Sequence, residues 1–319
     1  MLSQAGKIAD ATTSIKAALD VRDDFPDAHL NLGIILAKTG NNTDAEQHFL
    51  RAVHYRPTAL APHVELARLK RFGNDPQALL AATAAALRIA PDNALLHVME
   101  AEALFAQSRL REAWRAYRFR FQSGENTVQG KNYPLPLWQG ETLAGRTLLI
   151  WTEQAPGDEI MYANMLPDVI AATQRCVVQC SARVAPLFRR SFPGAEIVSR
   201  DLTPEELRGI DFHSPIGNLG EWLRPDIGAF PTHAGYLRPD PGLRDRLRTK
   251  YANAAHGKLI VGVSWRSGRA RHPHAMPAAG VAGVGAALVL VFATPAVPLV
   301  PGNAIACARP RGRLADVDS

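Results

Sequence analysis

The chain is poor in the residues that build covalent or metal frameworks. It has three cysteines in 319 residues, Cys176, Cys180 and Cys307. The first two lie four apart on a predicted strand, and at roughly 3.3 Å per residue they stand about 13 Å apart, too far for a disulfide. No CxxC pair, HExxH or EF-hand spacing occurs, so no structural metal site is expected. His272 and His274 form an isolated HPH and do not change that expectation. The N-terminus, MLSQAGKIADATTS, lacks an apolar core long enough for a signal peptide. With the sparse cysteines this points to a reducing, cytoplasmic setting. Strong charge of one sign is also missing. The net charge is +6, and the Lys and Arg residues are spread along the chain. The densest basic run, RLREAWRAYRFR (109–120), puts Arg111, Arg115 and Arg118 on one helical face. Without aromatic platforms or a recognised module, that face reads as solvated rather than as a nucleic-acid stripe, and no nucleic-acid partner is expected.

What is present is a repeat. Ala11 recurs as Ala45, Leu79 and Ala113; Ala18 recurs as Ala52 and Ala86, with Arg120 last. Ile15 recurs as Phe49, Thr83 and Tyr117, Leu32 as Leu66, and Pro57 as Pro91, always 34 residues on. That period, with small residues where helices approach and a proline after each unit, is the tetratricopeptide signature. The clearest unit spans 26–57, with Leu32, Gly33 and Leu36 on its first helix and Ala45, Phe49 and Ala52 on its second. One helical hairpin cannot cover its own apolar face, so units stack and share an elongated core. The concave face of such a stack is expected to hold a protein or peptide, or else the repeats only support their neighbour. Two departures stand out. Met1 falls inside the first unit, and the last unit carries Glu100 and Arg120 where the others carry Leu and Ala.

After Phe121 the period stops. Residues 122–145 are rich in Gly and Pro and read as a linker lying across the next domain, anchored by Trp138. Strands and helices then alternate. Strands are expected at 146–151, 176–181, 195–200 and 211–217. Helices are expected at 158–174 (bent or interrupted at Pro167), 182–192 and 201–209 with Thr203 as N-cap. Such alternation predicts a parallel sheet with helices on both faces. Residues 258–265, KLIVGVSW, read as the first strand of a second such domain. The expected layout is therefore repeats over 1–121, a linker over 122–145, a Rossmann-like α/β domain over 146–256, and a further start over 257–319. Ligands of open parallel sheets bind outside the carboxyl ends of the strands, where WTEQAPGDE (151–159) falls. There Asp158 is placed to cap a helix, or to take a proton from an acceptor hydroxyl.

Several stretches together resemble a known family: WRAYRFRF (114–121), PLWQGETLAGRTLLIW (136–151), EQAPGDEI (153–160), MLP (165–167) and GVSWRSG (262–268). Their order is similar to that of bacterial repeat-containing glycosyltransferase-like proteins, related to the heptosyltransferases. The resemblance covers about residues 5–268. It implies a GT-B fold, in which two Rossmann-like halves flank a cleft and inverting sugar transfer needs no metal. The substrate is then a nucleotide sugar rather than a bound cofactor. It implies Asp158 as catalytic base, with Glu153, Gln154 and Gly157 in the turn near the acceptor. It also implies Ser264, Arg266, Ser267 and Gly268 around the donor phosphates. Ala155 and Pro156 depart from the family's Gly-x-Gly-Asp turn.

A donor half needs about four or five more strand–helix units. Residues 272–308 instead contain no Asp, Glu, Lys or Arg and show no helical or strand period, while the end of the chain, RPRGRLADVDS (309–319), is abruptly charged. Three readings stand: a shifted reading frame that cuts the donor half short, a membrane tail through 278–297 (the less favoured), or an irregular packed ending. The expected function is accordingly sugar transfer from a nucleotide donor to a hydroxyl, weakened by an incomplete donor half. The alternative is a non-catalytic repeat scaffold for protein–protein interaction.

Overall fold

The computed structural model describes residues 2–124, 130–153, 155–232, 235–255, 259–263 and 288–292. The chain divides into two compact units, 1–239 and 240–319.

The first unit opens with seven helices: α1 (Leu2–Val21), α2 (Pro26–Lys38), α3 (Asn42–Tyr55), α4 (Leu60–Arg71), α5 (Pro76–Leu87), α6 (Ala94–Ala106) and α7 (Leu110–Tyr117). Local chemistry sets their ends. Pro26 and Pro76 occupy first turns, where a missing N–H costs nothing. Asp75 and Asn93 cap α5 and α6 by accepting the N–H groups of Ala78 and Leu96 at 3.0 and 3.1 Å. The 34-residue phase is the phase of burial. Ala45, Leu79 and Ala113 are all buried at equivalent positions of successive second helices, as are Ala52 and Ala86. A helical repeat of tetratricopeptide type is therefore what the period encodes.

Gly33 shows why the packing needs small residues. A Cβ built there would lie 2.5 Å from the ring of Phe49, which is fully buried and has no room to retreat. Gly33→Ala gains up to about 1 kcal/mol of helix propensity. Overpacking costs about 1–3 kcal/mol. The expected result is a net loss on the order of 1 kcal/mol in urea denaturation.

A pair of histidines joins α2 to α3. The Nε2–H of the buried His29 donates to the Asp23 carbonyl at 2.8 Å, so its Nδ1 accepts from Nδ1–H of His48 at 2.9 Å. Burial, then the nearness of His29 and Arg51, holds His48 below the ordinary 6.5, with Asp44 opposing. The folded state thus favours neutral His48, and the unfolded chain binds the proton first as pH falls. Stability is full above 6.5 and declines as pH drops below it. Burial lowers His213 in the same direction. We expect the urea midpoint to fall between pH about 7.5 and about 5.5. His48→Gln should remove part of that fall, leaving the share due to His213.

Beyond α7, residues Arg118–Phe121 make one 3-10 turn. The α/β part follows: β1 (Thr147–Trp151), α8 (Pro156–Tyr162), α9 (Leu166–Ala172), β2 (Arg175–Gln179), α10 (Ala185–Ser191), β3 (Ala195–Val198), α11 (Pro204–Leu207), β4 (Phe212–Pro215) and α12 (Leu219–Leu223). The four strands form one parallel sheet in the order β3-β2-β1-β4, with Trp151 opposite Gln179 on one side and Pro215 on the other. Thr203 caps α11 as expected, and Glu206 returns the bond to the Thr203 N–H at 2.8 Å.

Three expectations need correction. The predicted helix 158–174 starts at Pro156 and breaks at Ala163–Met165 rather than at Pro167. Pro167 lies in the first turn of α9, where proline is tolerated. The two faces of the sheet are also covered differently. Leu148, Ile150, Cys176 and Val178 pack against Tyr162, Leu166, Val169 and Phe188 of the helical layer. On the opposite face Leu149, Val177 and Val198 meet Tyr133, Leu135, Leu202 and Leu207. The segment read as a linker thus stands in for a second helical layer, together with short α11. Its Trp138 is buried, donates its backbone N–H to the His213 carbonyl at 2.9 Å, and follows a Leu137–His213 bridge on the outer edge of β4.

The third correction concerns the second unit. It contains α13 (Pro241–Ala255), β5 (Leu259–Val263) and β6 (Leu288–Phe292). β5 pairs antiparallel with β6, Leu259 opposite Phe292, rather than opening a parallel sheet. β6 falls inside 278–297, the stretch weighed as a membrane span, and the rest of that stretch lies outside the described residues. Among the described residues no helix is long and apolar enough to cross a membrane.

Candidate functional site

The strand order places the switch point between β1 and β4: the chain moves from β1 outward to β2 and β3, then returns to the other side of β1. A crevice forms outside the carboxyl ends of two such strands, because their connections leave in opposite directions. Here the last repeat fills the bottom of that crevice.

Arg120 is the residue that enters. It sits in the repeat phase of Ala52 and Ala86 and is just as buried. Its Nε and Nη2 donate to Glu153 at 2.5 and 2.6 Å, and its Nη1 donates to Asn218 Oδ1 at 2.8 Å and to the Tyr117 carbonyl at 3.0 Å. The rings of Tyr117 and Phe121 flank the guanidinium at 4.4 and 4.2 Å. Glu153 lies just past β1 and also accepts the Gly217 N–H at 3.0 Å, just past β4. Glycine suits this close approach: a Cβ would stand 3.0 Å from the Glu153 carboxylate and 3.1 Å from Arg120, tight enough to crowd the pair. One ion pair therefore joins the repeats, β1 and β4. Both partners are fully desolvated, so the pair fixes position more than it adds net stability. Sequence reasoning marked Arg120 as a departure without finding its partner, and placed Glu153 in an acceptor turn.

The other predicted residues divide clearly. Asp158 is the third residue of α8, not its N-cap; the cap position is Ala155, whose side chain cannot accept a bond. The Asp158 carboxylate returns to the Ala155 N–H at 3.1 Å, the reverse half of a capping box. The helix begins two residues earlier than expected because Pro156 starts it. Gly157 faces open space. The acid directed into the fold is the neighbouring Glu159, which is buried and accepts from Thr152 Oγ1, from the Ser181 N–H at 2.8 Å and from Ser181 Oγ at 2.6 Å. Gln154, Ser264, Arg266, Ser267 and Gly268 lie outside the described residues. Among the described residues no group of three His, Cys, Asp or Glu side chains is placed to hold a metal ion. Burial pushes the thiols of Cys176 and Cys180 up to about 12, with Glu159 adding to the effect at Cys180, which leaves both unreactive near neutral pH.

Above the Arg120–Glu153 pair the crevice opens into a cavity of about 550 Å³, between the 3-10 turn, the linker and the ends of β1 and β4. Its walls include Arg118, Phe119, Phe121, Lys131, Trp151 and His213. Trp151 donates Nε1–H to Nδ1 of His213 at 3.1 Å. Burial lowers the His213 pKa, so the ring is neutral at pH 7 and carries its proton on Nε2. Asp158 is not among the lining residues. The solvated arginine face has a second role at this rim: Arg115 and Arg118 reach Glu221 of α12 at 3.6 and 3.4 Å.

Comparison with known proteins agrees with the helical part. Residues 2–62 match the tetratricopeptide repeat family. Protein FlbA of Caulobacter vibrioides is 28% identical over 284 residues, which is 83% of this chain and 48% of FlbA, so the chain spans about half the length of that curated relative. Among solved structures, a mutant O-GlcNAc transferase of Thermobaculum terrenum shares 16% identity at a TM-score of 0.35, over 70% of this chain and 46% of that one. MamA of Desulfovibrio magneticus shares 18% identity at a TM-score of 0.35, over 38% and 68%. The protein is thus one that carries tetratricopeptide repeats ahead of a small parallel four-stranded sheet.

Proposed function

We propose that the repeats hold a polypeptide and that the α/β part is the acceptor side of a glycosyltransferase of the two-lobed type. The observation that carries this reading is the junction: the buried Arg120–Glu153 pair ties the end of the repeats to the carboxyl ends of β1 and β4. A chain held on the repeats keeps a constant distance to the edge where an open α/β sheet performs its chemistry. In this reading Asp158 takes the proton from an acceptor hydroxyl as that oxygen attacks the anomeric carbon. The bond to the nucleotide diphosphate breaks on the opposite face and its electrons leave with the phosphate. Ser264, Arg266, Ser267 and Gly268 are the residues that the family resemblance assigns to those phosphates.

A second reading, a non-catalytic interaction protein, is favoured by one specific feature. The Asp158 carboxylate is engaged by its own turn and stands apart from the cavity. Calorimetry with a panel of nucleotide sugars separates the two. The transferase reading expects saturable heat from at least one donor, and the scaffold reading expects none. Where turnover is found, Asp158→Asn should reduce kcat by about 10²–10⁴-fold with an unchanged melting curve. Full activity in that variant removes Asp158 from the mechanism.

A further inference from the structure

The cavity over the Arg120–Glu153 pair has the attributes of a small-molecule site. Its volume of about 550 Å³ lies within the usual range for such sites, and it sits at the switch point of the sheet. Three features of its wall define what would fit. First, the described lining carries three basic side chains, Arg115, Arg118 and Lys131, and no carboxylate. Second, the positive charge at the rim is only partly matched. Arg115 and Arg118 share Glu221 at 3.6 and 3.4 Å, both longer than a direct hydrogen bond of good geometry; the other bond of Arg118, at 2.8 Å, goes to the uncharged Gln139 Oε1, and the Arg115 side chain is 65% exposed. Lys131 donates to the solvent-exposed Asp201 at 3.1 Å and to the neutral Gln179 Oε1 at 2.8 Å, so Asp201 is the carboxylate that faces its charge. The nearby Glu112 is already held by Arg109 through two bonds, at 2.8 and 2.6 Å. Third, the rest of the wall is aromatic. The rings of Phe121 and Trp151 lie 5.3 Å apart, and Phe119 is stacked on His97 at 4.0 Å, which holds its ring in place.

We propose that this cavity binds an organic anion, a phosphate or carboxylate carried on an aromatic or heteroaromatic ring. The ring stacks against Phe119, Phe121 and Trp151. The anionic group meets the guanidinium groups of Arg115 and Arg118 and the ammonium of Lys131 at the rim. Arg120 does not take part, since its donors are committed to Glu153, Asn218 and the Tyr117 carbonyl. The site is built jointly by the last repeat, the linker and the sheet, so neither part alone would bind. It stands whether or not the chain transfers sugar, because it uses neither Asp158 nor the residues after 263.

The test is calorimetry on the full chain, with quenching of tryptophan fluorescence as a second readout. The probes are phenyl phosphate, phenylacetate, uridine monophosphate, inorganic phosphate and phenol. At least one ring-bearing anion should bind about tenfold or more tighter than both inorganic phosphate and phenol, because it alone satisfies both halves of the wall. Comparing phenyl phosphate with phenylacetate tells which anionic group is preferred. Arg118→Gln and Lys131→Gln, made separately on two segments, should each weaken binding by about tenfold while leaving the melting curve in place. Should one variant fail to fold, the other decides. Affinity for inorganic phosphate or phenol equal to that of the best ring-bearing anion, no binding of any ring-bearing anion at millimolar concentration, or unchanged affinity in a folded variant would each overturn the proposal.

Discussion

Glu153→Ala is expected to destabilise the first unit by about 3–5 kcal/mol, a large share of the roughly 5–15 kcal/mol of an ordinary domain. The variant leaves the Arg120 guanidinium with no counter-charge in a site that excludes water, and it removes the acceptor of the Gly217 N–H. Two flanking rings and the two remaining bonds, to Asn218 and the Tyr117 carbonyl, soften the loss without neutralising the charge. Arg120→Ala should cost a similar amount, since it strands the Glu153 carboxylate instead. Arg120→Met/Glu153→Leu is the informative control. Replacing both charges by apolar groups of similar reach removes desolvation and attraction together, so most of the lost stability should return. Urea denaturation followed by tryptophan fluorescence measures all three. If Glu153→Ala breaks only the junction, the curve should split into two transitions, one for the repeats and one for the sheet. A cost below about 1 kcal/mol would mean that water reaches the pair, contrary to its full burial.

The position of Arg120 shows how much of this site was legible in the chain alone. The period of 34 residues exposes the repeats because burial repeats with it: Ala45, Phe49 and Ala52 are buried in the same phase that their neighbours keep. An arginine at an alanine position was visible as a break in that phase. Its meaning was not, because the partner lies 33 residues away across a linker, and no local rule sets that contact. The strands were legible from alternation and composition, and their parallel pairing from the helices between them. That 122–145 lies across the next domain with Trp138 as its anchor was legible; that Tyr133 and Leu135 cover the second face of the sheet was not, because a Gly- and Pro-rich segment gives no periodic signal. Asp158 was assigned to the cap rather than to the first turn, since Pro156 begins α8 and moves the cap to Ala155. β6 was missed because its run of five apolar residues, LVLVF, has neither alternation nor a flanking polar break by which to fix its ends.

Trp114 tests the same junction without charge. Its indole is 9% exposed, donates Nε1–H to the Arg224 carbonyl at 2.9 Å, and meets Phe105 edge-on at 4.6 Å. It belongs to one apolar cluster with Leu148, Ile150 and Leu219, so the last repeat and the sheet share a core. Trp114→Ala should therefore cost about 3–5 kcal/mol, as removal of a buried aromatic ring does when the space cannot close. The matching position on α12 is Gly220, where a Cβ would lie 2.3 Å from the indole. Gly220→Ala in the wild-type chain should cost about 1–3 kcal/mol, because the indole is held by its hydrogen bond and has no free rotamer to adopt. The two effects are not independent. With the indole gone, the methyl group of Gly220→Ala enters the vacated space and gains helix propensity, so its cost should vanish or change sign. A double-mutant cycle in urea reads this as a coupling of about 1–3 kcal/mol. Additive costs would mean that α12 approaches α7 less closely than the 2.3 Å separation of a Gly220 Cβ from the indole requires.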